Sequence, residues 1–363
     1  MEHILIVDDN VTNLKFIEQA LKPHYKVTLL TSAMETMKFL SKNTPDLILL
    51  DIKMVDINGY EIFKAIKSID RFKNIPLIFL TALNDIESEL KCLRLGALDL
   101  IEKTFVPELM LNIINTHLEL ANYRKNLEFL VHEKTETIEN LQDSMVLGLA
   151  ELVECRDGET GGHIKRTAKY LEILVHAMAE AGVYSDILTK EYICNIIRSA
   201  PLHDIGKIGI SDKILLKRGS FDEDERDYMK QHTTLGGMAL QKVIDVTADE
   251  SFLYVARDMA LSHHEKWDGS GYPSGLSEYN IPLCARIMAV ADVYDALTSE
   301  RHYKKPYLHS KSVDIISSSS GTHFEPCIVD VFKSISDKFD VVSKLYNQNV
   351  EGVNCCNNSM KIL

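Results

Sequence analysis

The sequence contains no CxxC pair, and its seven cysteines are an odd number scattered through 363 residues. That usage speaks against a disulfide framework and points to a reducing cytoplasm. No apolar run approaches the ~18 residues that a membrane-spanning helix needs. The chain enters a strand-like HILIVDD at His3 with no basic region and apolar core before it, so neither a membrane span nor a signal peptide is expected. Positive charge is also in short supply, with 40 Lys and Arg against 53 Asp and Glu, a formal net charge of −13. Such a surface repels DNA and anionic membrane. A nucleotide substrate stays open, because bound cations reverse the sign locally. The length implies two domains.

The first ~120 residues alternate short apolar runs with helical patterns, which predicts a parallel sheet with helices on both faces. The runs are Ile4 to Val7, Lys26 to Leu30, Asp46 to Ile52, Pro76 to Ala82 and a weaker Leu98 to Glu102, giving five strand–helix units. Ligands of such a sheet bind beyond the carboxyl ends of its strands. There the sequence places Asp8 and Asp9 after strand one, Asp51 after strand three, Thr81 after strand four and Lys103 after strand five. Clustered carboxylates repel each other unless a cation sits among them, and oxygen ligands favour Mg²⁺.

This pattern resembles the receiver domains of response regulators, over about residues 1–120, with a flavodoxin-like five-stranded fold. The resemblance implies that Asp51 accepts a phosphoryl group from a cognate sensor histidine kinase. It implies that Asp8 and Asp9 hold Mg²⁺, and that Thr81 and Lys103 contact the phosphoryl oxygens, which are the electrostatic needs of phosphoryl transfer. Three positions depart from the family: Val55 and Thr104 stand where proline is usual, and Leu100 stands near the usual aromatic switch residue.

From Pro107 to Val153 the pattern is continuously helical, with residues 121–150 expected to link the domains. Leu127, Val131, Ile138, Leu141, Met145 and Leu152 follow alternating three/four spacing, while Lys134 and Gly148 fill the other seam positions. A short coiled coil joining two subunits and an amphipathic helix packed on its own domain both fit. A homodimer is expected on the first reading.

Residues 151–345 read as a second, mostly helical domain, and the polar tail, 346–363, as disordered, with fraying expected beyond Asp340. Histidines and carboxylates gather in this second part: Glu159 and His163 in RDGETGGH, four apart and on one face if helical; His203, Asp204 and Lys207 in HDIGK; His232; His263 and His264 in HHEKWDGSGYPSG; Asp292, Arg301 and Lys304 in RIMAVADVYDALTSERHYKKP. Imidazoles with carboxylates suit iron or manganese. The absence of cysteine from every candidate position argues against structural zinc. A carboxylate such as Asp204 can bridge two metals ~3.5–4 Å apart. Lys207, four residues after His203, would point to the same pocket from a helix.

In this order, HDIGK, HHE, DGxGYPxGL, DVYDALTSxRxYK and the closing GTHFEP resemble the HD-GYP branch of the all-α HD metal phosphohydrolases, over about residues 145–335. The resemblance implies that His163, His203, Asp204, His232, His263, His264 and Asp292 are metal ligands. Glu159 matches a ligand of the members that hold three metals rather than two. Asp204 and Lys207 would serve catalysis, Lys207 by contacting the scissile phosphate. Tyr272, Arg301 and Lys304 would bind substrate, a guanidinium gripping phosphate bidentately. Glu325 stands where aspartate is usual, and His302 where proline usually follows the arginine. His176, His309 and His323 match no ligand position.

The implied activity is hydrolysis of cyclic di-GMP to linear pGpG, with further cleavage to GMP left open, under control of Asp51 phosphorylation. A different cyclic dinucleotide is a second substrate reading. A third reading is a non-hydrolytic sensor, or a scaffold that docks diguanylate cyclases through the GYP loop; the intact ligand set counts against it.

Overall fold

A computed structural model describes residues 1–55, 57–81, 94, 97–104, 106–157, 162–247, 251–299 and 305–346, and the backbone of 347–350. The chain forms two compact units, Met1–Thr137 and Ile138–Leu363.

In the first unit, β1 (His3–Val7), β2 (Lys26–Leu30), β3 (Leu47–Asp51), β4 (Leu77–Thr81) and β5 (Asp99–Glu102) form one parallel sheet in the order β2-β1-β3-β4-β5. Every residue of β3 and β4 is buried, as central strands covered on both faces must be. The period of two divides the side chains cleanly. Leu5, Val7, Ile48, Leu50 and Phe79 join one core with residues of α2 (Ala33–Leu40) and α3 (Gly59–Lys67). Ile4, Ile6, Leu47, Leu49, Ile78 and Leu80 join the other, with α1 (Val11–Leu21) and the start of α4 (Pro107–Asp157). The helices begin where short polar side chains satisfy free backbone amides: Asn10 caps α1, Ser32 caps α2 and Asn58 caps α3. The helix expected between β4 and β5 falls mostly outside the described residues.

α4 is one helix of 51 residues, in keeping with the continuous helical pattern. The six apolar seam residues Leu127, Val131, Ile138, Leu141, Met145 and Leu152 are all exposed on it.

The second unit is helical. After α4 come α5 (His163–Glu180), α6 (Lys190–Ser199), the short α7 (Asp212–Leu215), α8 (Glu223–Ile244), α9 (Ser251–Ser262), α10 (Leu283–Thr298), α11 (His309–Ser318) and α12 (Pro326–Val350). Its core centres on Tyr170, Tyr294, Phe332 and Phe339, with Tyr170 stacked on Phe339 at 4.8 Å. This corrects the expectation of fraying beyond Asp340. α12 runs on to Val350, and Val342 and Ser343 are buried. The apolar stripe Ile328, Phe332, Ile335, Phe339, Val342 and Tyr346 keeps helical spacing through the polar segment and outweighs its polarity. Residues 351–363 lie outside the described residues. Among the described residues, no helix is long and apolar enough to cross a membrane.

Candidate active site

The second unit brings seven of the eight expected metal ligands into two adjoining groups. Asp204, His232, His263 and His264 offer donor atoms within 4.8 Å of one another, and so do His163, His203 and Asp292. Glu159, Arg301 and Lys304 lie outside the described residues.

Four of the five imidazoles are aimed from behind. His203 Nδ1 lies 2.8 Å from the Ala200 carbonyl, His232 Nδ1 2.8 Å from the Met229 carbonyl, and His263 Nδ1 3.1 Å from the Met259 and Ala260 carbonyls. A carbonyl only accepts, so each Nδ1 must donate, and each Nε2 turns an unprotonated lone pair to the centre. His163 Nδ1 likewise faces the Asp295 carboxylate at 2.8 Å. Arg166 Nε and Nη2 grip that carboxylate at 2.7 and 2.9 Å, so the pair is fixed in turn. Burial would raise the Asp295 carboxyl, but its bonds to His163 and Arg166 outweigh this and hold it low. Burial lowers three of the imidazoles, His203 to about 4, His232 below its ordinary value and His264 well below it, so these three are neutral near pH 7 as ligands must be.

Asp204 stands between the groups. Its Oδ1 is 3.3 Å from His232 Nε2 and 3.7 Å from His263 Nε2, while its Oδ2 is 3.5 Å from His203 Nε2. Buried Asp204 Oδ1, His232 Nε2 and His263 Nε2 make no hydrogen bond. His163 Nε2 and His203 Nε2 face each other at 3.4 Å. Acceptor atoms gathered in this way leave desolvated lone pairs uncompensated, and divalent cations satisfy them. The donor set therefore fits divalent metal, with Asp204 offering one oxygen to each group.

The turn that carries Asp204 is not the α-helix expected for Lys207. Ile205–Gly209 is a 3-10 helix, which sets Lys207 Nζ 2.9 Å from Asp204 Oδ2, at i,i+3 rather than over His203. Lys207 Nζ also lies 2.6 Å from Asp157 Oδ2, at the end of α4. Burial would raise the Asp204 carboxyl, but the Lys207 ammonium and the histidines hold it well below the usual range. The turn sits close to α8 because position 206 is glycine: a Cβ there would fall 1.9 Å from the His232 carbonyl oxygen. Gly162 takes φ +106° and His163 opens a new helix, with its amide donating to buried Glu154 at 2.8 Å.

The sequence reading gave no role to Glu265, the third residue of HHE. It is buried, and its carboxylate accepts from the backbone amides of Ser274 at 2.7 Å and Leu276 at 3.0 Å. Gly271 lies so close to it that a Cβ would meet Glu265 Cα at 2.5 Å. The loop thus folds back over its own stem. Tyr272 stacks on His264 at 4.8 Å between ring centroids. Burial pushes the Tyr272 hydroxyl up, so it stays protonated. An acidic residue directly after paired histidines was the available signal for Glu265. Of the three unmatched histidines, His309 bonds the Tyr294 hydroxyl and His323 stacks on Phe324.

In the first unit, Asp8, Asp9 and Asp51 offer oxygens within 4.8 Å of one another. Lys103 Nζ sits 3.0 Å from Asp8 and 2.6 Å from Asp51, and Thr81 ends β4 beside them, buried. Burial raises the Asp51 carboxyl despite the Lys103 ammonium. The unusual Val55 has a consequence here: its amide donates to Asp9 Oδ2 at 2.8 Å, a bond that proline could not make. Gly59 is required as well, since a Cβ would fall 2.2 Å from the Asp51 carbonyl oxygen. Leu100, at the aromatic-switch position, packs half-buried on the α2–α3 core.

Two family descriptions match the chain: "Response regulator receiver domain" over residues 4–115 and "HD domain" over residues 162–328. A Vibrio cholerae protein named "Probable cyclic di-GMP phosphodiesterase" is 40% identical over 95% of this chain and 80% of its own length. "Cyclic di-GMP phosphodiesterase response regulator RpfG" of Xanthomonas campestris is 31% identical over 90% of this chain and 86% of its own. A "3'3'-cGAMP-specific phosphodiesterase 2" of Vibrio cholerae is 36% identical over 60% of this chain and 41% of its own. The receiver fold, followed by a helical HD domain with a metal-type donor set, defines a response-regulator phosphodiesterase. The chain belongs to the cyclic di-GMP phosphodiesterase family of that architecture.

Proposed function

We propose that this protein hydrolyses cyclic di-GMP at the His–Asp cluster of its second unit, and that phosphorylation of Asp51 by a cognate sensor kinase sets the rate. The observation that carries the reading is Asp204, set between two groups of metal-type donors with Lys207 beside it.

His163, His203, Asp204, His232, His263, His264 and Asp292 would hold two divalent ions, iron or manganese, with Glu159 available for a third. When bound, the ions supply Lewis acidity toward the phosphodiester and lower the pKa of water. The chain's own residues do the rest. Lys207 meets the non-bridging oxygens of the scissile phosphate. Water adds to phosphorus as the bond to the 3′ oxygen breaks, giving pGpG. Arg301 and Lys304 supply cations for the phosphates, and Tyr272, protonated, forms the pocket wall beside a guanine. In the receiver, Asp8 and Asp9 would hold Mg²⁺, with Thr81 and Lys103 on the phosphoryl oxygens.

The exposed seam of α4 supports a homodimer. The GYP loop offers a surface for diguanylate cyclases. The free thiols of Cys155, Cys194, Cys284 and Cys327 agree with a cytoplasmic protein.

The 3'3'-cGAMP relative supports a second substrate reading within the same chemistry. Competition between cyclic di-GMP and 3'3'-cGAMP on metal-loaded protein separates them. We expect cyclic di-GMP to have the higher kcat/KM; the reverse order would favour the second reading.

A further inference from the structure

The last turn of α4 reaches further into the site than its place between two domains requires. Ile205–Gly209 is a short 3-10 helix; the Ile210 amide closes its end by donating to the Lys207 carbonyl at 3.1 Å, and further donors can reach the carbonyls of residues 207, 208 and 210. Arg156 meets them. Its Nη1 donates to the Ile208 carbonyl at 2.7 Å and the Lys207 carbonyl at 3.3 Å, and its Nη2 donates to the Ile210 carbonyl at 2.8 Å. The same guanidinium is fixed from the far side by Asp212 Oδ1, 2.7 Å from Nη2 and 3.0 Å from Nε. A cation at this end also opposes the negative pole of the turn. The next residue, Asp157, holds the Lys207 ammonium. Two consecutive residues of α4 thus grip the backbone and the side chain of Lys207.

We propose that Arg156 is a positioning residue for Lys207: its fork fixes the 207–210 backbone so that the ammonium stands over Asp204. The inference rests on the reading of Lys207 as the contact to the scissile phosphate. It also makes α4, the helix that begins at Pro107, a direct mechanical neighbour of that contact.

A double-mutant cycle on full-length, metal-loaded protein tests it, with Arg156→Gln, Lys207→Ala and the double variant. Arg156→Gln should lower kcat roughly ten- to a hundredfold while KM and metal content hold, because a small misplacement of a reacting group is costly. In the Lys207→Ala background the same substitution should have no further effect. In the metal-free protein, amide exchange should quicken at residues 207–210. If Arg156→Gln does not fold, Arg156→Lys, with one ammonium in place of the fork, should show an intermediate loss with the same non-additivity. An equal loss in both backgrounds, or an unchanged kcat, would overturn the proposal. Bis(p-nitrophenyl) phosphate, run beside cyclic di-GMP, keeps the cycle readable should the dinucleotide not be the substrate. Turnover of the simple diester alone would fail the substrate reading and leave the test of Arg156 standing.

Discussion

Glu265 shows how much of the site depends on residues that bring no metal-type donor to it. It is a buried carboxylate whose two oxygens answer two loop amides, and charge-assisted bonds of this kind are among the strong ones. Glu265→Ala should cost about 2–4 kcal/mol in stability by leaving both amides unanswered, and should raise KM by loosening the Tyr272 loop. Thermal melts and steady-state kinetics read both effects; unchanged KM would mean that the loop does not bind substrate. At this scale the sequence was legible where residue type dictates chemistry. His163, His203, Asp204, His232, His263, His264 and Asp292 could be named because their motifs, taken together and in order, resemble those of a family whose ligands they match, and the structure gathers all seven. Asp295, Arg166 and Arg156 could not, because their work is to satisfy a carbonyl, a carboxylate or a ring nitrogen, and those partners exist only after folding; Glu265 left only its place directly after the paired histidines as a signal.

Among the elements, the Ile205–Gly209 turn and α8 set the distance between Asp204 and His232. Gly206→Ala would drive a methyl against the His232 carbonyl oxygen. The turn must then retreat, at about 1–3 kcal/mol and with weakened metal retention. Melting and metal analysis after dialysis check this; a variant that melts and retains metal like wild type would show that the contact relaxes freely. Element types were largely readable. Short apolar runs gave the five strands, because strands covered on both faces are apolar throughout, and three/four spacing gave the long helix. The 3-10 turn was missed because HDIGK has no period to read, and the geometry of Lys207 changed with it. The length of α12 was missed because Asn and Gln near its end masked a buried stripe that continues through Val342.

Across the whole molecule, the two halves of the chain carry two chemistries, and a single helix is common to both units. The receiver site keeps the donors for phosphoryl transfer, while Leu100 replaces the usual aromatic reporter. We expect the beryllofluoride-treated wild type and the Asp51→Asn variant to differ in phosphodiesterase rate; equal rates would sever the halves functionally. The central claim is tested most directly by hydrolysis of cyclic di-GMP with anaerobically purified protein loaded with Fe²⁺ or Mn²⁺, beside an Asp204→Ala control. Formation of pGpG by the wild type that disappears in the control is the predicted result. No turnover by protein shown to contain its metals, or equal turnover in the control, would contradict the account.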